Sequence, residues 1–395
     1  MISGRARKVP QSPIRKLIPY ANEAKAKGIK VYHLNIGQPD IETPQVFWSA
    51  IQNYKEKVLA YGPSDGLLDF RKTVAKYYQS FGANVQAGNV FTTTGGSEAI
   101  LFTYMITADV GDEFLIPEPV YANYISLASV AQVQLIPIPT KVEEGFHLPS
   151  RAEIEKLITP KTKGIIICTP NNPTGTCYTR DEMELVAKIA REHNIFVISD
   201  EVYREFLFDG RKHTSIFLVP EIDKSAIVLD SISKRFSACG ARIGWVVTKN
   251  ESILKSLMVY GMARLCPPTV EQIGAKNAFE NMQEFLPQMI QEYESRRNVV
   301  YEELQKIKGS FAKLPEGAFY MTCRLPVSDA EEFAKWMLTC FQVDNKTTMI
   351  APAEGFYITP KKGRNEVRIA YILKSEELKD AMRILSKGLE EFSER

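Results

Sequence analysis

The stretch Ser231-Ile232-Ser233-Lys234-Arg235-Phe236-Ser237-Ala238-Cys239-Gly240-Ala241-Arg242-Ile243-Gly244-Trp245 decides how the rest of the chain is read. One lysine sits among small hydroxyl residues, and glycines, an arginine and a tryptophan follow. Small neighbours leave room for a bulky group on the Lys234 amine. A lysine that attacks a carbonyl must be partly uncharged, and nearby cations such as Arg235 and Arg242 favour that state. The hydroxyls of Ser231, Ser233 and Ser237 and the Arg242 guanidinium are the donors a phosphate needs. The stretch therefore points to a ring that carries both an aldehyde and a phosphate.

The pattern S-x-S-K-x-F-S-x-x-G-x-R-x-G-W resembles the lysine motif of the class I/II aminotransferases, enzymes of fold type I that use pyridoxal 5'-phosphate (PLP). The resemblance implies that Lys234 bonds the cofactor aldehyde and that Arg242, with Ser231 and Ser233, binds its phosphate.

Other stretches, in chain order, extend the resemblance over nearly the whole sequence. Gly37-Gln-Pro39-Asp40 is a turn that resembles the family's G-x-P-D element, which implies that the Gly37 backbone approaches the substrate carboxylate. Tyr61-Gly-Pro-Ser-Asp-Gly66 resembles an element whose tyrosine reaches the cofactor phosphate of a neighbouring subunit. That match implies a homodimer with shared active sites. Thr94-Gly95-Gly96-Ser97-Glu98 ends a β-branched strand and opens a helix. Exposed amides and the helix dipole make an anion site there, and Gly96 and Ser97 match positions that hold the PLP phosphate. Tyr121, in Pro119-Val-Tyr121-Ala-Asn-Tyr124, matches the aromatic that stacks on the cofactor ring, while Tyr124 reads as packing.

The apolar run Gly164-Ile-Ile-Ile-Cys-Thr reads as a buried parallel strand. It leads into Asn171-Asn172-Pro173-Thr174-Gly175, which resembles the family's N-P-x-G loop; Asn172 there bonds the PLP phenolic oxygen and the substrate carboxylate. Ile195-Phe-Val-Ile-Ser-Asp200 ends with a carboxylate at a strand mouth, costly to bury without a cation. The resemblance implies that the PLP ring nitrogen is that cation. Tyr203 matches a tyrosine that donates to the phenolic oxygen. Arg368, in Asn365-Glu-Val-Arg368-Ile-Ala-Tyr371, matches the arginine whose bidentate fork takes the substrate α-carboxylate.

Strands alternating with helices from about residue 90 to 250 predict an α/β protein. The resemblance makes it a fold type I PLP-transferase, with a mainly parallel seven-stranded sheet in a large domain (46–284). Residues 1–45 and 285–395 are expected to form a smaller α+β domain. Within it, Ser12-Pro13 reads as a helix start, and 311–323 reads as strand, turn, strand.

Bulk properties fit an ordinary globular enzyme. The 395 residues are 45% hydrophobic and 24% charged, with net charge +2. No basic excess suggests nucleic acid, and no apolar run nears the roughly 20 residues of a membrane span. The basic N-terminus lacks the apolar segment of a signal peptide, so the expected location is cytoplasmic. Six scattered cysteines read as free buried thiols, and four isolated histidines offer no metal site.

The implied reaction is transamination between an amino acid and a 2-oxo acid, with Lys234 moving the proton. Aspartate with 2-oxoglutarate is the first expectation for the substrates, an aromatic amino acid the second. Arg15 and Arg264 are candidates for a distal carboxylate. PLP binding alone leaves open a C–S β-lyase, or a PLP-sensing regulatory domain.

Overall fold

A computed structural model describes residues 1–394, apart from the side chains of Arg5 and Lys8. Twelve strands follow in chain order: β1 (Lys30–His33), β2 (Val90–Thr93), β3 (Glu113–Glu118), β4 (Gln134–Pro139), β5 (Thr162–Cys168), β6 (Phe196–Asp200), β7 (Ala226–Ser231), β8 (Gly244–Thr248), β9 (Tyr320–Arg324), β10 (Lys346–Met349), β11 (Ala351–Pro352) and β12 (Glu366–Ala370).

Seven of them form one sheet in the order β2-β8-β7-β6-β5-β3-β4. The ladder is parallel from β4 through β7, and β8 runs antiparallel to both β7 and β2. Its strands read as apolar runs because helices cover both faces; β5, for instance, is buried from Gly164 to Cys168. One consequence positions everything that follows. The C-terminal ends of β2, β3, β5, β6 and β7 emerge along one edge of the sheet. The reversed strand β8 brings its N-terminal end, and Arg242 just before it, to the same edge. Ligands of open α/β sheets bind along that edge.

Two smaller sheets lie outside this one: β11-β12-β9, antiparallel, and the parallel pair β1-β10. One apolar cluster joins Leu17, Ala21, Val31 and Leu34 near the N-terminus to Leu286, Val300, Phe333 and Leu385 near the other end. Chain ends distant in sequence thus share a core.

Local chemistry explains several boundaries. The helix Arg180–His193 starts at Thr179, whose side chain accepts from the Glu182 amide in a reciprocal capping box, and it ends on left-handed Asn194. The helix expected at Ser12-Pro13 begins instead at Ile18 and runs to Ala26, with Pro19 in its first turn. The expected strand before residue 320 is reduced to two isolated bridges, Phe311 to Arg324 and Gly317 to Leu207. The amides of Glu316 and Gly317 donate to the Gly175 carbonyl and that of Ala318 to Phe206, so no ladder can form there. The six cysteines are unpaired, but only Cys168, Cys177 and Cys323 are buried, and Cys340 is exposed. No described helix is long and apolar enough to cross a membrane.

Candidate active site

A cavity of about 680 Å³ opens at the C-terminal edge of the large sheet. Gly37, Gly96, Ser97, Tyr121, Asn172, Asp200, Tyr203, Ser231, Ser233, Lys234, Arg242 and Arg368 all line it. Residues spread over more than 300 positions converge because the strand ends converge.

Lys234 sits in the short helix Ile232–Arg235 directly after β7. Its Nζ donates to the Gly37 carbonyl at 2.8 Å and lies 3.9 Å from the Cys239 sulfur. Gly37 must be glycine, since a Cβ there would overlap the Tyr320 phenol. Arg235, expected to face Lys234, points the other way. It is fully buried and paired with Asp230 at 2.9 Å.

One end of the cavity suits an anion. The helix Gly96–Thr107 presents its N-terminus there, where the first amides have no partner in the helix. The Arg242 guanidinium lies against Gly95, whose φ of +75° suits glycine, and a Cβ on Gly95 would collide with it. Arg242 donates to the Cys239 carbonyl at 2.9 Å and, among the described residues, has no carboxylate partner. The Ser231 hydroxyl accepts from the Ser233 amide, at 3.3 Å. Ser237 does not line the cavity; its carbonyl accepts from Thr43.

The floor suits a cation. Asp200, at the end of β6, is buried and accepts from Tyr124 at 2.5 Å and from the Val202 amide at 3.2 Å. Burial pushes its carboxyl up to about 6, against the pull of those hydrogen bonds. Among the described residues no basic side chain pairs with it. Tyr124, expected only to pack, therefore holds the key carboxylate. Tyr121 stands edge-on to Tyr124, with ring centroids 5.6 Å apart, and burial pushes its hydroxyl up to about 12.

The far wall suits a carboxylate. Arg368, on β12, is 1% exposed, and burial lowers its pKa. It donates to Asn172 Oδ1 at 3.0 Å and to the Asn35 carbonyl, while its Nε is buried without a partner. Its guanidinium lies 4.6 Å from the Tyr320 ring centroid and 5.0 Å from that of Phe356. Tyr320, which the sequence reading passed over as part of a turn, joins the two halves of the site. Its hydroxyl bonds Tyr203 at 2.9 Å and donates to the Gly37 carbonyl at 3.2 Å. Its only advance signal was an aromatic after the small-residue run Gly317-Ala318.

Two predicted residues lie elsewhere. Tyr61 is 80% exposed and outside the cavity of its own chain. Arg264 is held by Glu98 at 2.6 Å and by the Ser64 carbonyl at 2.8 Å, so it is not free for a distal carboxylate within this chain. Arg15 remains at the rim of the cavity, exposed and without an acidic partner among the described residues. No group of metal-ligating side chains occurs among the described residues.

A lysine in reach, a cradle of amides and a guanidinium suited to an anion, a buried carboxylate suited to a cation and aromatic walls together fit PLP. Fold and cavity define a fold type I PLP enzyme.

Comparison with known proteins agrees. The family model for aminotransferase class I and II matches residues 29–386. The aspartate aminotransferase of Pyrococcus horikoshii is 30% identical, over 98% of this chain and 97% of that protein. Aromatic-amino-acid aminotransferase 2 of Thermococcus litoralis is 32% identical over 99% and 98%. The solved structure of alanine aminotransferase from Pyrococcus furiosus superposes with a TM-score of 0.91 at 29% identity, covering 99% of this chain and all of that one, 100%. The chain belongs to the class I and II aminotransferases and is a PLP-dependent enzyme that transfers amino groups.

Proposed function

We propose that this enzyme moves the amino group of a dicarboxylic amino acid, aspartate first, to a 2-oxo acid such as 2-oxoglutarate. The observation that carries this reading is the pair of arginines on one cavity. Arg368 is buried on the wall, and Arg15 is unpaired at the rim. One suits the α-carboxylate and the other the distal one. The aromatic walls of Tyr121, Tyr124 and Tyr320 favour an aromatic substrate as the second reading. Relatives named for aspartate and for aromatic amino acids are about equally similar.

The same reading assigns the residue roles, and the shared cavity supports it. Arg242, Ser231, Ser233, Gly96 and Ser97 hold the phosphate, with Tyr61 contributed by the partner of a homodimer. Exposed apolar side chains support that dimer: Val58, Leu59 and Tyr61 on one segment and Met262 and Leu265 on another, the two segments being joined by the bond from Arg264 to the Ser64 carbonyl. Asp200 would keep the ring nitrogen protonated, and Tyr121, Asn172 and Tyr203, which line the same cavity, would hold the ring and its phenolic oxygen. When bound, PLP supplies an aldehyde that bonds amines and a cationic ring that withdraws electrons from the substrate α-carbon. Arg368 and Asn172 orient the α-carboxylate. Lys234 Nζ would take the proton from the substrate α-carbon and return it to the carbon that carries the cofactor's aldehyde, one base serving both ends of the transfer.

In the division proposed here, 46–284 against 1–45 with 285–395, Arg368 and Lys234 fall on different bodies. Substrate bridging them would draw the bodies together and exclude water. We assign the enzyme to the cytoplasm.

The test is an absorbance spectrum of the PLP-loaded protein titrated with single amino acids. A visible band that bleaches with aspartate and returns with 2-oxoglutarate is expected, with Arg15→Ala weakening the aspartate response more than the phenylalanine response. Bleaching by phenylalanine alone would replace the dicarboxylate reading with the aromatic one.

A further inference from the structure

Glu118 ends β3, three residues before Tyr121, and is 1% exposed. The reactions described above do not use it. Its carboxylate is nevertheless crowded with donors. Oε2 accepts from the amides of Ile358 at 3.1 Å and Thr359 at 3.0 Å. Oε1 accepts from the Thr359 hydroxyl at 2.8 Å and from Lys362 Nζ at 3.0 Å. Two residues on, the Val120 amide donates to the Phe356 carbonyl at 2.7 Å. All the partners belong to the segment 356–362, which lies between β11 and β12. That segment carries Phe356, whose ring backs the Arg368 guanidinium. A buried carboxylate thus ties the strand end that carries Tyr121 to the segment that backs Arg368.

We propose that Glu118 is a positioning residue that sets Arg368 relative to the cofactor ring, and so sets the affinity for substrate carboxylate. This rests on the reading of Arg368 as the carboxylate receptor. The physical case is one of acceptor counting. Four donors converge on two oxygens, and only a carboxylate supplies acceptors alone. A glutamine of the same shape would turn an amide N–H₂ toward donors on one side, and the 356–362 segment would have to shift. Phe356 would shift with it, and displacement of a binding group by about 1 Å can cost up to roughly 100-fold. The phosphate cradle and Asp200 hang from other strands, and Tyr121 follows a strand that stays paired with β4 and β5, so PLP affinity is not expected to follow.

The experiment compares wild type, Glu118→Gln and Lys362→Met. PLP affinity of each apo protein is read from absorbance, and binding of maleate, an unreactive dicarboxylate, from the spectrum of each PLP-loaded protein. kcat, KM and thermal midpoint are recorded in parallel. Glu118→Gln should weaken maleate about tenfold and raise KM more than it lowers kcat, with PLP affinity within about twofold. Lys362→Met, which spares the amide contacts, should do the same to a smaller degree. A lowered midpoint with unchanged maleate binding would make Glu118 merely structural and overturn the proposal, as would equal loss of PLP and maleate. Wild-type protein that binds PLP but neither maleate nor 3-phenylpropionate, an unreactive aromatic monocarboxylate, would instead overturn the reading of Arg368.

Discussion

The two faces of the C-terminal sheet edge treat buried charge in opposite ways. Behind the cavity, whose wall Asp230 also touches, Asp230 pairs with Arg235 at 2.9 Å, Glu201 with Arg204 at 3.3 Å, and Glu205 with Arg235 at 3.5 Å. Tyr77 accepts from Arg235 and donates to Glu205. In the cavity, Asp200, Arg242 and Arg368 have no opposite charge within ion-pair distance among the described residues. The two sets are interleaved in sequence: Asp200 precedes Glu201, Tyr203 precedes Arg204, and Lys234 precedes Arg235. Burying an uncompensated charge is costly, and proteins keep such charges for ligands. Charges completed within the chain hold the fold, and charges left open mark the site.

Removing charges on either face tests that division, and the largest effect is expected behind the cavity. Arg235→Met leaves Asp230 buried without its ion-pair partner, with only the Ser231 amide donating to it, which should cost about 3–5 kcal/mol of stability. Adding Asp230→Asn should restore much of it, as read by denaturant unfolding. A single mutant as stable as wild type would break the comparison. On the cavity face, Arg368→Ala should lower kcat/KM by about 100-fold or more, close to 3 kcal/mol, with PLP affinity and unfolding midpoint nearly unchanged. Equal loss of PLP binding would remove Arg368 from the substrate site.

A smaller effect is expected at His147, between Glu182 at 3.0 Å and Glu316 at 3.4 Å. Those carboxylates, Glu182 first, raise its pKa to about 10. A raised histidine stabilises the fold fully below its ordinary value near 6.5, and the gain is lost as pH rises through about 10. His147→Gln should therefore cost roughly 1 kcal/mol at pH 6 to 8 and little above pH 10. A pH-independent difference in thermal midpoint would refute the charge-based account.

Much of this was legible in the sequence because parallel strands buried on both faces read as apolar runs, and their ends carry the chemistry. Asp200 after Phe196–Ser199 and Lys234 after Ala226–Ser231 are of that kind. What escaped depends on contacts between distant segments. Tyr320 meets Gly37 across 283 positions, and Tyr124 meets Asp200 across 76. The early helix start misled because Ile14 and Leu17 have helical spacing but pack into different clusters. Arg264 looked free because its partner, Glu98, lies 166 positions away.

Asp200 gives the most direct test. Its carboxyl, raised to about 6 by burial, weakens folding of the PLP-free protein as pH rises from about 4 through 6. At pH 7.5, Asp200→Asn without PLP should therefore be more stable than wild type, by about 1–3 kcal/mol. With PLP the order should reverse, because only the carboxylate meets the cationic ring. The thermal midpoints of both proteins, with and without PLP, decide the matter. A crossover supports a cavity built to receive a cation at Asp200. A substitution that shifts both forms in the same direction, by the same amount, would contradict it.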